Sequence, residues 1–175
     1  GAGNDWVNAN DGDDRIFGDD GDDALEGRAG DDTISGDAGN DYLVGNEGSD
    51  TYRFGRGDGI DTLNNLGSDA SSTDRLVFDP DIASDQLWFS QSGNALRIQI
   101  IGTSDNIYVS DWYSDTDKRI DAVEAADGAV LVQTQVQQLV DAMAAFSPPD
   151  GTEIKLAEDV QDQLQPALAD AWTSS

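Results

Sequence analysis

The chain has 175 residues, of which 36 are acidic and 9 are basic, and its net charge of −27 disfavours nucleic acid and anionic membranes as partners while it favours cations. It contains no cysteine and no histidine, which excludes disulfides, thiol chemistry, zinc and copper sites, and a Ser-His-Asp triad. No apolar run is long enough to span a membrane. Composition alone leaves open a simpler interpretation, an acidic surface that serves only solubility.

Residues 1–61 consist of a nine-residue repeat that is already in progress at Gly1, so we expect the chain to be part of a longer protein. Glycines recur at nine-residue intervals, at Gly3, Gly12, Gly21, Gly30, Gly39 and Gly48. An acid follows each glycine by two residues, at Asp5, Asp14, Asp23, Asp32, Asp41 and Asp50. A single apolar residue lies two positions further, at Val7, Ile16, Leu25, Ile34, Leu43 and Tyr52. A fixed short period of this kind is the signature of a solenoid.

The repeat predicts a coil of very short parallel strands, each with one inward side chain, separated by glycine-rich loops. Second glycines open four of the units, at Gly18, Gly27, Gly36 and Gly45. One aliphatic residue per unit, at roughly 25 cal/mol per Å² buried, does not offset an ordering cost of roughly 1 to 2 kcal/mol per residue. Residues 1–61 also carry 17 acids against four arginines. Without another source of stability, this segment should be disordered.

Calcium is the cation that this pattern favours, because it accepts six to eight oxygen ligands from carboxylates and backbone carbonyls. Magnesium fits less well, since it requires a smaller and stricter octahedron. The EF-hand is excluded, because the D-x-D-x-D-G run with a glutamate at its twelfth position does not occur. The ligands must therefore come from different loops.

The units resemble the GGxGxDxUx nonapeptides of RTX (repeats-in-toxin) proteins, the haemolysin-type calcium-binding repeats. The resemblance implies a right-handed parallel β-roll with two units per turn and calcium between each loop and the loop two units on. It implies that Asp5 pairs with Asp23, Asp14 with Asp32, Asp23 with Asp41, and Asp32 with Asp50, which gives about four or more ions. The implied carbonyl ligands are those of Gly12, Gly18, Gly21, Gly27, Gly30, Gly36, Gly39, Gly45 and Gly48.

Several positions depart from the pattern. Ala9 and Asn10 replace the glycine pair of the second unit, and Phe54 replaces the opening glycine of the seventh. Gly59 stands where the seventh acid is expected, so Asp58 or Asp61 would have to serve as the ligand. The acids that precede the ligand positions are expected to be solvated; they are Asp13, Asp22 and Asp31.

Residues 62–131 predict a small β-rich cap, because short apolar or alternating runs such as "QLWFS" and "ALRIQII" are separated by turn signals. This region resembles the one that commonly follows RTX repeats. The cap contains four aromatic residues that could form a carbohydrate-stacking platform, but we expect them in the core; they are Trp88, Phe89, Trp112 and Tyr113.

Residues 132–175 predict two helices. The first would bury Val132, Val136, Leu139, Val140, Met143 and Phe146, and would end at Ser-Pro-Pro-Asp-Gly. The second would bury Leu156, Val160, Leu164, Leu168 and Trp172, with an interruption near Pro166. The resemblance implies that this segment contains a C-terminal type I secretion signal, so that the protein is exported without an N-terminal signal peptide.

The predicted fold is therefore mostly β, a right-handed parallel β-roll followed by a β-rich cap and C-terminal helices. The predicted function is that of a calcium-binding module of a large secreted protein, which folds outside the cell and contacts the type I machinery transiently. We expect a monomer without a transmembrane segment and without catalytic residues. The alternative is a calcium-dependent carbohydrate- or cell-surface-binding module of an adhesin or exoenzyme.

Overall fold

A computed structural model of the chain describes residues 1–67, 71–148 and 156–174. In these residues, 14 strands form two seven-stranded sheets, and two α-helices pack against the end of the structure that follows the repeats. The strands are β1 (Trp6–Asn8), β2 (Arg15–Phe17), β3 (Ala24–Ala29), β4 (Thr33–Ser35), β5 (Tyr42–Glu47), β6 (Thr51–Phe54), β7 (Ile60–Leu63), β8 (Arg75–Phe78), β9 (Leu87–Ser92), β10 (Ala95–Ile100), β11 (Asn106–Val109), β12 (Ala122–Glu124), β13 (Ala129–Val132) and β14 (Thr173–Ser174). The helices are α1 (Val136–Met143) and α2 (Glu158–Ala171).

The repeats form a parallel coil in which consecutive strands alternate between the two sheets. The first sheet has the order β1-β3-β5-β7-β11-β10-β9, and the second has the order β14-β13-β12-β8-β6-β4-β2. Leu25 pairs with Leu43 in the first sheet, and Ile16 pairs with Ile34 in the second, so equivalent residues lie two units apart. This arrangement confirms the predicted mostly-β fold, a β-roll with two units per turn.

One inward side chain per strand fills the roll, as the repeat predicts. Ile16, Leu25, Ile34, Leu43 and Tyr52 are all buried, and their neighbours within each strand are mostly half-buried or exposed. The alternation follows from the period of two residues along a β-strand. Because the inward row has only one residue per unit, the roll has a narrow core.

Both sheets continue without a break past the end of the nonapeptides. In the first sheet, β7 pairs in parallel with β5 and with β11. In the second sheet, β8 pairs in parallel with β6 and with β12. The sheets change to antiparallel pairing only at their ends, through β11-β10-β9 and β12-β13-β14. The region that caps the roll is therefore an extension of the same two sheets.

The cap contains the main hydrophobic core. Trp88, Phe89 and Trp112 are at most 2% exposed, which confirms that they belong to the core rather than to a sugar-stacking surface. Tyr113 is partly buried against the same core. Antiparallel strands and helices bring several large side chains together here, in contrast to the single row inside the roll.

The helical segment differs from its prediction at several points, and in the second helix Leu156 and Trp172 lie just outside α2 (Glu158–Ala171). Val132 ends strand β13 and is 38% exposed, because β13 pairs with β12, and helix α1 begins only at Val136. Helix α1 ends at Met143, so Phe146 lies beyond it. Helix α2 continues through Pro166 without interruption and packs against α1. The predicted stop signal from residue 149 onward lies outside the described residues.

The end of the described chain joins the cap. The Trp172 ring packs edge-on against Phe89, with ring centroids 6.0 Å apart, and β14 pairs with β13. Among the described residues, no helix combines the length and the apolar character needed to cross a membrane.

Candidate metal centre

Two columns of aspartates run along the roll, one at the strands of each sheet. The first column consists of Asp5, Asp23, Asp41 and Asp61, and the second consists of Asp14, Asp32, Asp50, Asp74 and Asp121. We call two neighbouring aspartates of one column a rung. Each rung joins adjacent turns of the roll, because the parallel pairing repeats every two units.

Every rung has the same hydrogen bond, in which the backbone N–H of one aspartate donates to the carboxylate of the next. The N···O distances in the first column are 2.6 Å (Asp5 to Asp23), 2.7 Å (Asp23 to Asp41) and 3.0 Å (Asp41 to Asp61). In the second column they are 2.8 Å (Asp14 to Asp32), 3.0 Å (Asp32 to Asp50), 2.9 Å (Asp50 to Asp74) and 2.8 Å (Asp74 to Asp121). The structure thus brings together the four pairs that the sequence predicts.

The second carboxylate oxygen of most of these residues is buried without a hydrogen-bond partner. Among the described residues, this holds for Oδ2 of Asp14, Asp23, Asp32, Asp41, Asp50 and Asp61. Asp32, Asp41, Asp50 and Asp61 are at most 2% exposed as whole residues. A buried carboxylate without a partner is strongly unfavourable unless it is protonated or meets a cation.

Glycines line the space in front of these oxygens. A Cβ atom on Gly18, Gly27, Gly36 or Gly45 would collide with Oδ2 of the aspartate five residues later in its own unit. A Cβ on Gly21, Gly30, Gly39 or Gly48 would collide with the carbonyl of the glycine one turn below, which is Gly3, Gly12, Gly21 or Gly30. The repeat therefore requires glycine where the backbone closely approaches the carboxylates and stacked carbonyls.

Burial changes the acidity of the central carboxylates. It raises the pKa of Asp41 to about 6, of Asp50 to about 7 and of Asp61 to about 8, and it also raises the pKa of Asp32. Repulsion between neighbouring carboxylates adds to this rise in pKa, whereas the backbone hydrogen bond from the turn below opposes it. In the absence of a cation, the ionised columns therefore destabilise the roll near neutral pH.

The last unit of the roll contains two extra residues, which explains its irregular sequence. Gly59 lies opposite Gly39, and Asp41 is bonded to Asp61 across 20 residues instead of 18. Asp61 therefore takes the acid's place in this unit. Asp58 accepts the backbone N–H of Gly55 at 2.6 Å instead, and burial raises its pKa to about 6.

The flanking acids form a separate, exposed ladder. The carboxylate of Asp13 accepts the N–H of Asp31 at 2.9 Å, that of Asp22 accepts the N–H of Asn40 at 2.9 Å, and that of Asp31 accepts the N–H of Ser49 at 2.8 Å. These aspartates are exposed, as expected. They also tie neighbouring turns together, which the sequence did not indicate.

Sequence reasoning missed Asp74 and Asp121. Both lie outside the glycine repeat, in segments that it assigned to the cap. A usable signal exists, because Asp74-Arg75-Leu76 and Asp121-Ala122-Val123 repeat the Asp-x-apolar core of the nonapeptide. The inward side chains Leu76 and Val123 lie in register with each other, and Leu76 lies in register with Tyr52.

The oxygen donors of the columns fit calcium. Within the described residues, no three acidic side chains converge on one point. A rung instead combines two aspartate carboxylates with nearby glycine carbonyls, and calcium accepts such mixed, irregular sets of oxygens. The partnerless buried oxygens and the space that glycine leaves beside them are the features that a bound cation would satisfy.

Comparison with known proteins agrees with this chemistry. A family model described as RTX calcium-binding nonapeptide repeat (4 copies) matches residues 1–34, 17–52 and 26–63. A second model, described as haemolysin-type calcium binding protein related domain, matches residues 96–135. The iron-regulated protein FrpA of Neisseria meningitidis serogroup C is 39% identical over 93 residues, which cover 51% of this chain and 8% of that protein. Residues 1–63 therefore consist of RTX calcium-binding nonapeptide repeats, and residues 96–135 form a haemolysin-type calcium-binding related domain.

Proposed function

We propose that the roll is a calcium-driven folding module that supports type I secretion and extracellular folding of a larger protein. The observation that carries this proposal is the set of buried Oδ2 atoms without hydrogen-bond partners, which recurs along both columns. The proposed ligands are the carboxylates of Asp5, Asp14, Asp23, Asp32, Asp41, Asp50 and Asp61, together with carbonyls of the glycine loops. The proposed role is structural and not catalytic.

The chain's own residues prepare the columns for an ion. The N–H of each aspartate holds the carboxylate of the next turn in position, which fixes one oxygen and leaves the other free. The glycines keep side chains out of the space beside the free oxygen. Bound calcium would supply positive charge there and would be coordinated by the free oxygens. Without it, repulsion within the columns and the narrow core of the roll favour the unfolded chain.

This dependence suits export as an unfolded chain. Free calcium is scarce inside cells, so the repeats would stay unfolded and could pass through a type I exporter. Outside, millimolar calcium matches the affinities of extracellular modules, which lie at roughly 10⁻⁴ to 10⁻³ M. A 100-fold excess of calcium over its dissociation constant would contribute about 2.7 kcal/mol per site. Folding outside the cell would then oppose backward movement of the chain.

The proposed secretion signal lies in the segment from residue 132 to the end of the chain. Its support is its position after the repeats and the amphipathic character of its helices, in which α1 buries Val136, Leu139, Val140 and Met143. Because α2 and β14 pack on the cap in the folded protein, the signal would have to be read before the cap folds. The carbohydrate-binding alternative is not favoured, because Trp88 and Trp112 are buried and are not available to stack on a sugar.

Far-UV circular dichroism of the 175-residue chain during a calcium titration, with magnesium as the control, tests the folding part of the proposal. We expect a cooperative gain of β-structure at sub-millimolar to millimolar calcium that a chelator reverses. A chain that is fully folded in chelator and does not respond to calcium would refute the proposal.

The export part requires a separate measurement. A passenger protein fused to this chain would be expressed with a type I exporter, and its export rate would be compared with external calcium supplied or chelated. We expect faster export with calcium. A rate that does not depend on external calcium would remove the role of folding in export and leave the calcium-binding role intact.

A further inference from the structure

The Asp74 rung differs from the rungs below it in the second column. Asp74 is fully buried, and its Oδ1 accepts the N–H of Asp50 at 2.9 Å, as in the lower rungs. Its Oδ2, however, accepts a hydrogen bond from the side-chain amide of Asn65 at 2.9 Å. The corresponding oxygens of Asp32 and Asp50 have no partner.

Asn65 belongs to a closed network of buried polar groups. It is fully buried, and its Oδ1 accepts the hydroxyl proton of Tyr52 at 3.2 Å. The Tyr52 oxygen in turn accepts the N–H of Gly45 at 2.8 Å, and the Asn65 amide also donates to the carbonyl of Arg119 at 3.3 Å. Because a carboxylate only accepts hydrogen bonds, the NH₂ group of Asn65 must face Asp74. Every polar atom of the Asn65 side chain thus has a partner.

The first column has no equivalent of Asn65 among the described residues. Asp61 is the last aspartate of the first column and is fully buried, yet its Oδ2 has no partner. Above it, Asp105 uses both carboxylate oxygens to accept the N–H groups of Gly57 (2.9 Å) and Gly59 (3.2 Å). The two columns therefore end differently: an open acceptor remains on Asp61, and an amide closes Asp74.

We propose that the Asn65 amide takes the place at Asp74 that calcium takes at the rungs below. The calcium sites of the second column then end at the Asp32–Asp50 rung, whereas those of the first column continue through the Asp41–Asp61 rung. This inference rests on the proposed calcium-binding function and specifies where it stops. A neutral amide joins the roll to the cap without an ion, through Asp50, Asp74 and Asp121.

Asp61→Asn and Asp74→Asn form a matched pair that tests the inference. Both residues are fully buried, and both accept the N–H of the aspartate one turn below; they differ in the partner of Oδ2. Native mass spectrometry of the 175-residue chain in saturating calcium would count the bound ions. We expect Asp61→Asn to bind one ion fewer than the wild type, and Asp74→Asn to bind as many. One ion fewer in Asp74→Asn would overturn the inference.

A second variant covers the case in which Asp74→Asn does not fold. Asn65→Ala removes the amide and leaves the Asp74 carboxylate in place, so the inference predicts an ion count equal to or above that of the wild type. A count that falls by one would mean that Asn65 itself helps to hold calcium, and would overturn the inference. A wild-type chain that binds no calcium would instead contradict the proposed function, so the two failures are distinguishable.

Discussion

The roll and the cap share two continuous sheets, yet their interiors are built from different groups. Each strand of the roll contributes one inward side chain, such as Leu25 or Leu43. Beside these side chains lie buried carboxylates whose second oxygen has no partner. The cap contains large buried residues such as Trp88, Phe89 and Ile98. Continuous backbone pairing therefore joins a part whose buried carboxylates are suited to bind cations to a part with a large hydrophobic core. Strand pairing alone does not reveal where the stability comes from.

Removal of calcium should separate the two parts most clearly. Loss of about 2.7 kcal/mol per site at 100-fold excess, over several sites, is comparable to the whole stability of a typical domain, about 5 to 15 kcal/mol. Hydrogen exchange in chelator should therefore show loss of protection throughout residues 1–54, with protection retained in β9, β10 and α1. Magnesium serves as the control and should not restore the roll. Uniform loss across both parts would show that the cap also depends on calcium.

A core substitution in the cap should have the opposite dependence. Phe89 is fully buried and contacts the Trp172 ring, so Phe89→Ala should lower the free energy of unfolding of the cap by about 3 to 5 kcal/mol. The loss should be similar in calcium and in chelator, as measured by urea unfolding. The matched control is Phe17→Ala in strand β2, where the ring is 54% exposed, and it should change stability by less than about 0.5 kcal/mol. A loss that appears only in calcium would contradict the distinction between the parts.

The contrast also explains what the sequence could predict. The nine-residue period fixes the glycines, the aspartate rows and the inward aliphatic residues, because each is a local requirement of one unit. The two extra residues before Gly59 shift the frame, so a fixed period predicts the seventh acid at Gly59, whereas Asp61 takes that place in the structure. Asp74 and Asn65 could not be predicted from the period, because Asp74 lies 24 residues from its partner Asp50 instead of 18 and Asn65 lies outside the nonapeptides. Val132 has a helical pattern but pairs with β12, which shows that tertiary context overrides local periodicity.

Substitution of one column residue should change the sign of its effect with calcium. Asp32 is buried with a partnerless Oδ2 and a raised pKa, whereas Asp31 is exposed. In saturating calcium, Asp32→Asn should lose at least about 2 to 3 kcal/mol, the contribution of one site, because Asp32 belongs to two rungs. In chelator it should stabilise the roll or leave it unchanged, because a buried charge is removed.

Asp31→Asn is the matched control, since it is the same chemical change at the neighbouring residue and keeps an oxygen that can accept the N–H of Ser49. Its effect should be small in both conditions. Urea midpoints compare the two variants in calcium, and far-UV circular dichroism compares their β-structure in chelator, where the roll is expected to be unfolded. Equal losses of stability for both variants would mean that the buried Asp32 stabilises the roll no more than the exposed Asp31 does, and would contradict its role as a ligand.

Acid should stabilise the calcium-free roll. The folded-state pKa values of Asp41, Asp50 and Asp61 are about 6, 7 and 8, above the unfolded value of 3.8. The folded state therefore binds more protons, so its relative stability is fully present below pH 3.8 and is lost as the pH rises through these raised pKa values. In chelator, where the roll is expected to be unfolded near neutral pH, its β-structure measured by far-UV circular dichroism should increase on going from pH 8.5 to about pH 5.

With calcium present, the same acidification should act in the opposite direction, because protons compete with the ion for the carboxylates. Calcium titrations at a series of pH values should show weaker binding as the pH falls from 8 toward 6. The ring contact between Phe89 and Trp172 in the cap provides an internal control, since neither side chain is ionisable. Calcium affinity that is constant across this range would contradict the assignment of the buried carboxylates as ligands.

The smallest predicted effect concerns strain in the loops. Non-glycine residues with left-handed backbone conformation occur at Asn10, Asp19, Arg28, Asp37 and Asn46 in the roll, and the described part of the cap has one, Asp111. Arg28 has φ of +88° where the nonapeptide pattern has glycine, and left-handed conformation costs a residue with a side chain about 1 to 2 kcal/mol. Arg28→Gly should therefore stabilise the calcium-bound roll, by about 0.5 to 1 kcal/mol after the greater flexibility of unfolded glycine is included.

Arg28→Ala separates strain from charge. Alanine keeps the Cβ and its strain but removes the weak, exposed ion pair between Arg28 and Glu26, whose N···O distance is 3.6 Å. Urea unfolding in saturating calcium should rank the variants with glycine above arginine, and alanine level with or slightly below arginine. If alanine equals glycine, the gain comes from removing the arginine side chain and the loop is not strained. If the predicted order holds, the loops of the roll are strained at non-glycine positions, and calcium binding has to offset that strain. The described part of the cap, with one such residue, has less strain to offset.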